Sequence, residues 1–160
     1  MSDSMQVAVV TGANRGLGFE TCRQLAQRGI NVVLTSRSSE KGQAAVMQLR
    51  QEGLDVGLHT LDVTDMTAAT TLADYIKKEF GRLDILVNNA GVFFDPYDPT
   101  DPRPASIFNA DIDTIRQTLE INTYGALRLA QSLIPLMKGQ GKVVKARSST
   151  YRQAWASCQI

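Results

Sequence analysis

The stretch Thr11–Gly18 constrains the fold more than any other part of this chain, because its three glycines lie between two differently patterned segments. Residues 7–10 before it are an apolar run, and residues 19–26 after it carry apolar side chains at helical spacing, so the glycines fall on a turn from a strand to a helix. The first turn of a helix has unpaired backbone N–H groups and a partial positive charge, and glycine lets a pyrophosphate reach them. We therefore predict a dinucleotide site here, although glycine spacing alone would favour an ordinary tight turn.

The rest of the chain alternates strand and helix patterns, which is typical of a parallel sheet with helices on both faces. We predict one α/β domain with a doubly wound parallel sheet of about five strands. The first four strands are expected near residues 6–10, 30–35, 55–61 and 83–87. The helices are expected from the glycine turn to residue 28 and near residues 39–52, 66–80 and 113–137, the first three ending at Gly29, Gly53 and Gly81.

The composition excludes several functional classes. Hydrophobic residues make up 43% and charged residues 21% of the 160, which is ordinary for a globular protein. Seventeen basic residues against sixteen acidic ones, without a basic cluster, argue against a nucleic-acid or anionic-membrane partner. Cys22 and Cys158 lack metal-ligand spacing and His59, expected at the surface or in an edge strand, is the only histidine, so we expect no metal site. No signal peptide or membrane span is recognisable, and we expect a cytoplasmic protein with reduced thiols.

Two motifs together carry a family resemblance. Thr11, Gly12, Gly16 and Gly18 form the pattern T-G-x-x-x-G-x-G, and Asn88-Asn89-Ala90-Gly91 follows the fourth predicted strand, where it would otherwise be read as a plain turn. With these motifs the chain resembles the short-chain dehydrogenase/reductase family, and the stretches 32–37 and 41–46 are similar to its carbonyl reductase branch. The resemblance implies a Rossmann-type fold, a nicotinamide cofactor and hydride transfer that converts a small carbonyl substrate to an alcohol.

The resemblance also implies a set of cofactor-binding residues. These are Gly12, Asn14, Arg15, Gly16, Leu17, Gly18, Arg37, Asp62, Val63, Asn89, Ala90 and Gly91. The second strand ends in Ser36-Arg37 without the acidic residue that would bind the ribose of NAD, and Arg37 with Arg15 suits the 2′-phosphate of NADP. Each arginine alone could equally be a solvated surface residue. In the family an Asp at the position of Asp62 lies against adenine; the alternative is that Asp62 or Thr64 only caps the next helix.

Asn122 lies within the predicted helix 113–137. A single amide on an apolar helix is by default a satisfied core hydrogen bond. In the family, however, an Asn with a Gly three residues later holds a water in the proton relay, and this role carries onto Asn122 as the one catalytic residue expected. The same helix pairs in family dimers, so a homo-oligomer is possible, although some carbonyl reductases are monomeric.

The resemblance fails after about Val144. Family members carry a catalytic Ser and then Tyr-x-x-x-Lys, whereas the four tyrosines here are followed four positions later by Glu79, Asp101, Arg128 and Trp155. One added base after the Arg147 codon would let residues 148–160 be read as a family-like strand and serine segment. We therefore expect an NADP-binding Rossmann domain over 1–147, the N-terminal portion of a family member, and an aberrant, out-of-frame tail over 148–160.

Three hypotheses remain for the function of such a chain. It is an oxidoreductase by descent that has lost activity, a non-catalytic nucleotide-binding protein, or an unstable truncated product.

Between the second motif and the last helix, residues 92–110 hold four of the five prolines without a helical or alternating pattern. A loop of this length is expected at the ligand side of the sheet.

Overall fold

The computed structural model describes residues 5–92 and 111–145, and of residues 138–140 and 145 only the backbone. The expected loop 92–110 and the expected aberrant tail therefore lie outside the described residues, apart from Val92. The elements are β1 Val7–Val10, α1 Gly16–Gln27, β2 Asn31–Ser36, α2 Ser39–Gln51, β3 Val56–Thr60, α3 Met66–Glu79, β4 Leu83–Asn88, α4 Ile112–Leu119, α5 Ala126–Leu133 and β5 Met137–Lys145.

The five strands form one parallel sheet in the order β3-β2-β1-β4-β5. The chain runs outward from β1 to β3 and then crosses back to β4 on the other side of β1. In such sheets ligands bind at the carboxyl edge where the strand order reverses, which is here the crevice beyond the ends of β1 and β4. The predicted α/β fold is confirmed, and the two sequence motifs follow directly after these two strands.

Helices cover both faces of the sheet, and β1 shows why. Its side chains alternate between two cores: Val7 and Val9 pack with α3 and α5, while Ala8 and Val10 pack with α1 and α2. All four are at most 2% exposed, so an entirely apolar strand is what this central position requires. Cys22 belongs to the second core, where burial raises the pKa of its thiol to about 12 and keeps it protonated.

The predicted helix 113–137 is wrong as a single element. The structure places α4, a π-helical segment Glu120–Gly125, α5 and a short 3-10 turn Ile134–Leu136 along this stretch. The wider π turn holds one more residue than an α turn, so it shifts the side chains after it around the helix axis. Pro135 lacks an N–H donor, and the chain is already in β5 at Met137.

Candidate functional site

The glycine turn joins β1 to α1 and is fixed to the neighbouring strands by backbone hydrogen bonds. Thr11 donates its N–H to the carbonyl of Val87 on β4 (3.0 Å), and Ala13 donates to the carbonyl of Thr35 on β2 (2.8 Å). Gly12 and Gly16 both have φ of +60°, the left-handed region that other residues rarely adopt. The turn is therefore held at the carboxyl edge of the sheet in a conformation that requires glycine.

The chain after β4 packs directly against this turn. A Cβ atom on Gly12 would lie 2.9 Å from the Cα of Ala90, and one on Gly18 would lie 2.4 Å from the Nδ2 of Asn89. Both separations are shorter than real Cβ contacts. Gly12 and Gly18 are thus needed for the close approach of the two motifs.

Side-chain hydrogen bonds lock the two motifs together. The amide of Asn89 donates to the carbonyls of Thr11 (2.8 Å) and Gly12 (3.1 Å). In return the hydroxyl of Thr11 accepts from the backbone N–H groups of Asn89 (3.0 Å) and Ala90 (2.9 Å). The bonded residues are 77 to 79 positions apart in the sequence, so the lock is a tertiary feature. The hydroxyl of Thr11 was not among the expected site residues, although the signature pattern contains it.

The N-terminus of α1 has no side-chain cap. Arg15 is the N-cap residue with an extended backbone and forms no capping bond, and the first turn of α1 contains no acidic residue. The helices α2, α3 and α4 are instead capped by Ser38, Asp65 and Asp111. The first-turn N–H groups of α1 therefore lie at the predicted pyrophosphate position, and no acidic side chain of the first turn offsets their partial positive charge. Arg15, Gly16 and Leu17 are exposed at this end of the helix.

A cleft of about 480 Å³ opens beside β2 and β3, on the side where the adenosine was expected. Its lining residues come from the ends of these strands and from the α4 region: Arg37, Asp62, Thr64, Arg116, Gln117, Glu120 and Ile121. Arg37 and Asp62, two of the expected cofactor residues, are thus brought together in one cleft. Sequence reasoning did not find the helical side of the cleft.

Asp62 is held as a carboxylate. It accepts hydrogen bonds from the backbone N–H of Thr64 (2.9 Å) and from its hydroxyl (2.7 Å). The backbone bond is the largest cause that lowers the pKa of Asp62, and the positive charge of Arg37 adds to it. The capping alternative is wrong, because Asp65 and not Asp62 or Thr64 is the N-cap of α3.

The π-helical segment forms part of the cleft wall and packs on the next expected residue, Val63. A Cβ atom on Gly125 would lie 2.8 Å from Cγ2 of Val63 and 3.1 Å from its carbonyl oxygen. Glycine at position 125 therefore allows the helix to approach the end of β3. Ile121 of the same segment lines the cleft, so this contact helps to set the width of the cleft.

Asn122 fastens the same segment to the chain after β4. Its Oδ1 accepts from the N–H of Val92 (2.8 Å), and its Nδ2 donates to the carbonyl of Val92 (2.7 Å). Gly91 lies alongside, where a Cβ atom would be 3.2 Å from Oδ1. The amide thus makes two tertiary hydrogen bonds, as expected of a core amide, and it lies beside Gly91 of the second motif.

Two other kinds of site are not found among the described residues. Within residues 5–92 and 111–145, no three His, Cys, Asp or Glu side chains are grouped as metal ligands. No helix in this part of the chain is long and apolar enough to cross a membrane.

A parallel sheet with a glycine turn and an uncapped helix N-terminus beside its topological switch point defines a Rossmann-type α/β fold. The profile described as short chain dehydrogenase matches residues 6–159, and the chain belongs to that family. The resemblance inferred from the two motifs is therefore confirmed.

Among curated relatives, the chain is similar to carbonyl reductase (NADPH) 1 of Homo sapiens, with 42% identity over 159 residues that make up 99% of this chain and 54% of the relative. It thus spans about half the length of the curated relatives it matches. Salutaridine reductase from Papaver somniferum is 37% identical with a TM-score of 0.76, covering 91% of this chain and 58% of that one. A metagenomic short-chain oxidoreductase in complex with NADP is 30% identical with a TM-score of 0.74, covering 88% and 61%.

Proposed function

We propose that this chain binds NADP(H) and is the cofactor-binding part of a carbonyl-reductase-like oxidoreductase. The observation that carries the proposal is the interlocked pair of motifs, in which Asn89 and Thr11 fix the glycine turn beneath the uncapped N-terminus of α1. The names of the relatives agree with it, since one is a carbonyl reductase of the NADPH type and another is described in complex with NADP.

The expected cofactor residues divide by position. The pyrophosphate would lie at the N-terminus of α1 above Gly12, with Asn14, Arg15, Gly16, Leu17 and Gly18 around it. The adenine would lie in the cleft beside Asp62 and Val63, and the 2′-phosphate would lie near Arg37 and Arg15. The nicotinamide end would extend past β4 toward Asn89, Ala90 and Gly91. When bound, NADPH would supply the hydride for reduction of a small carbonyl compound.

For the proton relay we propose Asn122, whose amide is fixed by Val92 beside Gly91 of the second motif. The proton donor itself is a separate matter. None of the four tyrosines in these 160 residues has a lysine four positions later, and a general acid contributes about 10² to 10⁴ in rate. We therefore expect a polypeptide of these 160 residues to bind the cofactor without measurable carbonyl turnover. This expectation corresponds to the second hypothesis, a non-catalytic nucleotide-binding protein.

The test is a calorimetric titration with NADPH and with NADH. We expect saturable binding of NADPH and weaker binding of NADH, because only NADPH carries the 2′-phosphate that Arg37 would bind. Arg37→Ala should weaken NADPH binding about 10- to 100-fold, since a charge-assisted hydrogen bond contributes about 1.5–3 kcal/mol, and leave NADH binding nearly unchanged. Arg28→Ala is the matched control, because Arg28 is also exposed but lies at the opposite end of α1.

Two outcomes would contradict the proposal. The first is that neither nucleotide binds to the folded chain. The second is that Arg28→Ala and Arg37→Ala weaken NADPH binding equally, which would indicate a general charge effect rather than a phosphate site.

For residues 148–160 we propose an origin outside the family reading frame. The coding DNA tests this directly. A frame offset by one base that encodes Val-Ser-Ser-Gly at this point would support the proposal, and the absence of any such frame would show a divergent tail.

A further inference from the structure

We infer that Arg116 is a second cation for the 2′-phosphate of NADP and thus a specificity-determining residue, an inference that rests on the proposed function. Arg116 lies on α4 and lines the same cleft as Arg37, which comes from the end of β2. The cleft therefore has a guanidinium on its strand side and another on its helical side. Two guanidinium groups suit a phosphate dianion, because each can donate two parallel hydrogen bonds to its oxygens.

Two carboxylates also line the cleft, and each has its own neighbours. The positive charge of Arg37 contributes to the lowered pKa of Asp62, after the hydrogen bonds from Thr64, so Asp62 is a negative charge on the strand side of the cleft. Glu120 also lines the cleft, but its carboxylate is paired with Arg128. The two carboxylates of the cleft lining thus lie beside Arg37 and Arg128.

The present partner of Arg116 lies outside the cleft lining. Its Nη1 is 3.0 Å from Oδ1 of Asp113, one turn earlier on α4. Both side chains are highly exposed, at 75% and 77%, and an ion pair in such a position is weak. A phosphate in the cleft would compete successfully with Asp113 for the guanidinium.

Arg116 could bind the cofactor in a different way, by stacking its guanidinium on the adenine ring. Stacking and phosphate binding differ in a measurable respect. The adenine is common to NADPH and NADH, whereas the 2′-phosphate is present in NADPH alone. The ratio of the two affinities therefore distinguishes them.

The experiment is calorimetric titration of the full 160-residue chain with NADPH and NADH, and with 2′,5′-ADP and 5′-ADP as probes of the adenosine end. Arg116→Ala should weaken NADPH and 2′,5′-ADP binding about 5- to 10-fold and leave NADH and 5′-ADP within about 2-fold. The dependence of NADPH affinity on salt should also fall, since one cation is removed. Arg28→Ala, which removes an exposed arginine remote from the cleft, should change none of these values.

A second variant tests the inference from the opposite direction. Asp113→Asn removes the competing carboxylate, so NADPH binding should strengthen about 2- to 3-fold without a comparable change for NADH. If Arg116→Ala loses the far-ultraviolet circular dichroism of the parent chain, the Asp113→Asn result decides.

The outcomes that overturn the inference are distinct from failure of the proposed function. Unchanged NADPH binding in Arg116→Ala, while Arg37→Ala weakens it, would overturn the role of Arg116 alone. Equal loss of NADPH and NADH binding would assign Arg116 to stacking and also overturn it. Absence of saturable NADPH binding by the unaltered chain would overturn both.

Discussion

Gly18→Ala tests the lock between the two motifs, and its cost can be worked out from the structure. The new Cβ would lie 2.4 Å from Nδ2 of Asn89 and 2.9 Å from Cα of Ala13. Asn89 would have to move and lose its two hydrogen bonds to Thr11 and Gly12, each contributing about 1 kcal/mol.

The remaining terms have opposite signs. Pressing a methyl group against the Ala13 backbone costs about 1–3 kcal/mol, and replacing glycine by alanine within a helix returns about 1 kcal/mol. The expected net destabilisation is about 2–4 kcal/mol, a large share of the 5–15 kcal/mol typical of a domain. Because the lock shapes the turn that lines the proposed pyrophosphate position, NADPH binding should weaken in the same variant.

Urea unfolding followed by circular dichroism measures this change, and a double-mutant cycle with Asn89→Ala isolates its cause. With the amide removed, the Cβ of Gly18→Ala no longer meets Nδ2, so the double variant should be more stable than the sum of the single effects predicts. Gly42→Ala is the matched control: it lies in α2, and its nearest neighbour is the flexible tip of Leu58. Destabilisation by Gly18→Ala of less than about 1 kcal/mol with unchanged NADPH affinity, or strictly additive effects in the cycle, would refute the reasoning.

Two further predictions concern stability. The buried carboxylate of Asp84 accepts a hydrogen bond from the N–H of Val7 (2.9 Å) and pairs with Arg82, so Asp84→Ala should lower the free energy of unfolding in urea by about 2–4 kcal/mol. Removal of the exposed carboxylate in Asp55→Ala is the control and should cost less than about 0.5 kcal/mol. Equal effects of the two substitutions would contradict this prediction. Burial lowers the pKa of His59 below its usual 6.5 in the folded state, so stability is greatest above that pH and decreases as the pH falls through it. Because His59 is the only histidine, His59→Gln should flatten the change in unfolding midpoint between about pH 7.5 and about pH 5.5, and an unchanged slope would show another cause.

The regular elements of the first half could be predicted because their signals are local. Apolar runs and helical spacing indicated β1 to β4 and α1 to α3, and the glycines at 29, 53 and 81 marked the helix ends within one or two residues. All three have positive φ, from +67° to +79°, which is the backbone property that a glycine in such a position signals. The structure confirmed these predictions because each rests on a few neighbouring residues.

The features that the sequence did not reveal depend on contacts between distant residues. The π-helical segment lies where Gly125 packs on Val63 and Asn122 binds Val92, and helical periodicity carries no record of either contact. Arg116 reads as an ordinary exposed helical arginine until the fold places it beside the cleft that Arg37 lines. His59 was expected at the surface or in an edge strand, and it lies in the edge strand β3. Its ring is nevertheless half-buried against Tyr75, with the two ring centroids 5.2 Å apart.

Among the expected cofactor residues, some could be placed from local sequence signals and others could not. A strand followed by glycines and a helix was enough to place Gly12, Gly16 and Gly18 at the carboxyl edge of the sheet, because that connection is local. That Asn89 would bond to the glycine turn, and that Asp62 would face Arg37, depends on the order of the strands. The sequence analysis did not predict that order, which the structure gives as β3-β2-β1-β4-β5.

Mapping of amide chemical shifts by nuclear magnetic resonance during titration with NADPH would show directly whether the dinucleotide binds at the switch point. We predict that the shifts concentrate at the amides of Leu17, Gly18 and Ala90 and at the cleft residues Arg37 and Asp62. The amides of the glycines at 29, 53 and 81, which end α1, α2 and α3 at the opposite edge of the sheet, should remain unchanged. Shifts concentrated at these three glycines, or none at the turn under saturating NADPH, would contradict a dinucleotide site at the switch point.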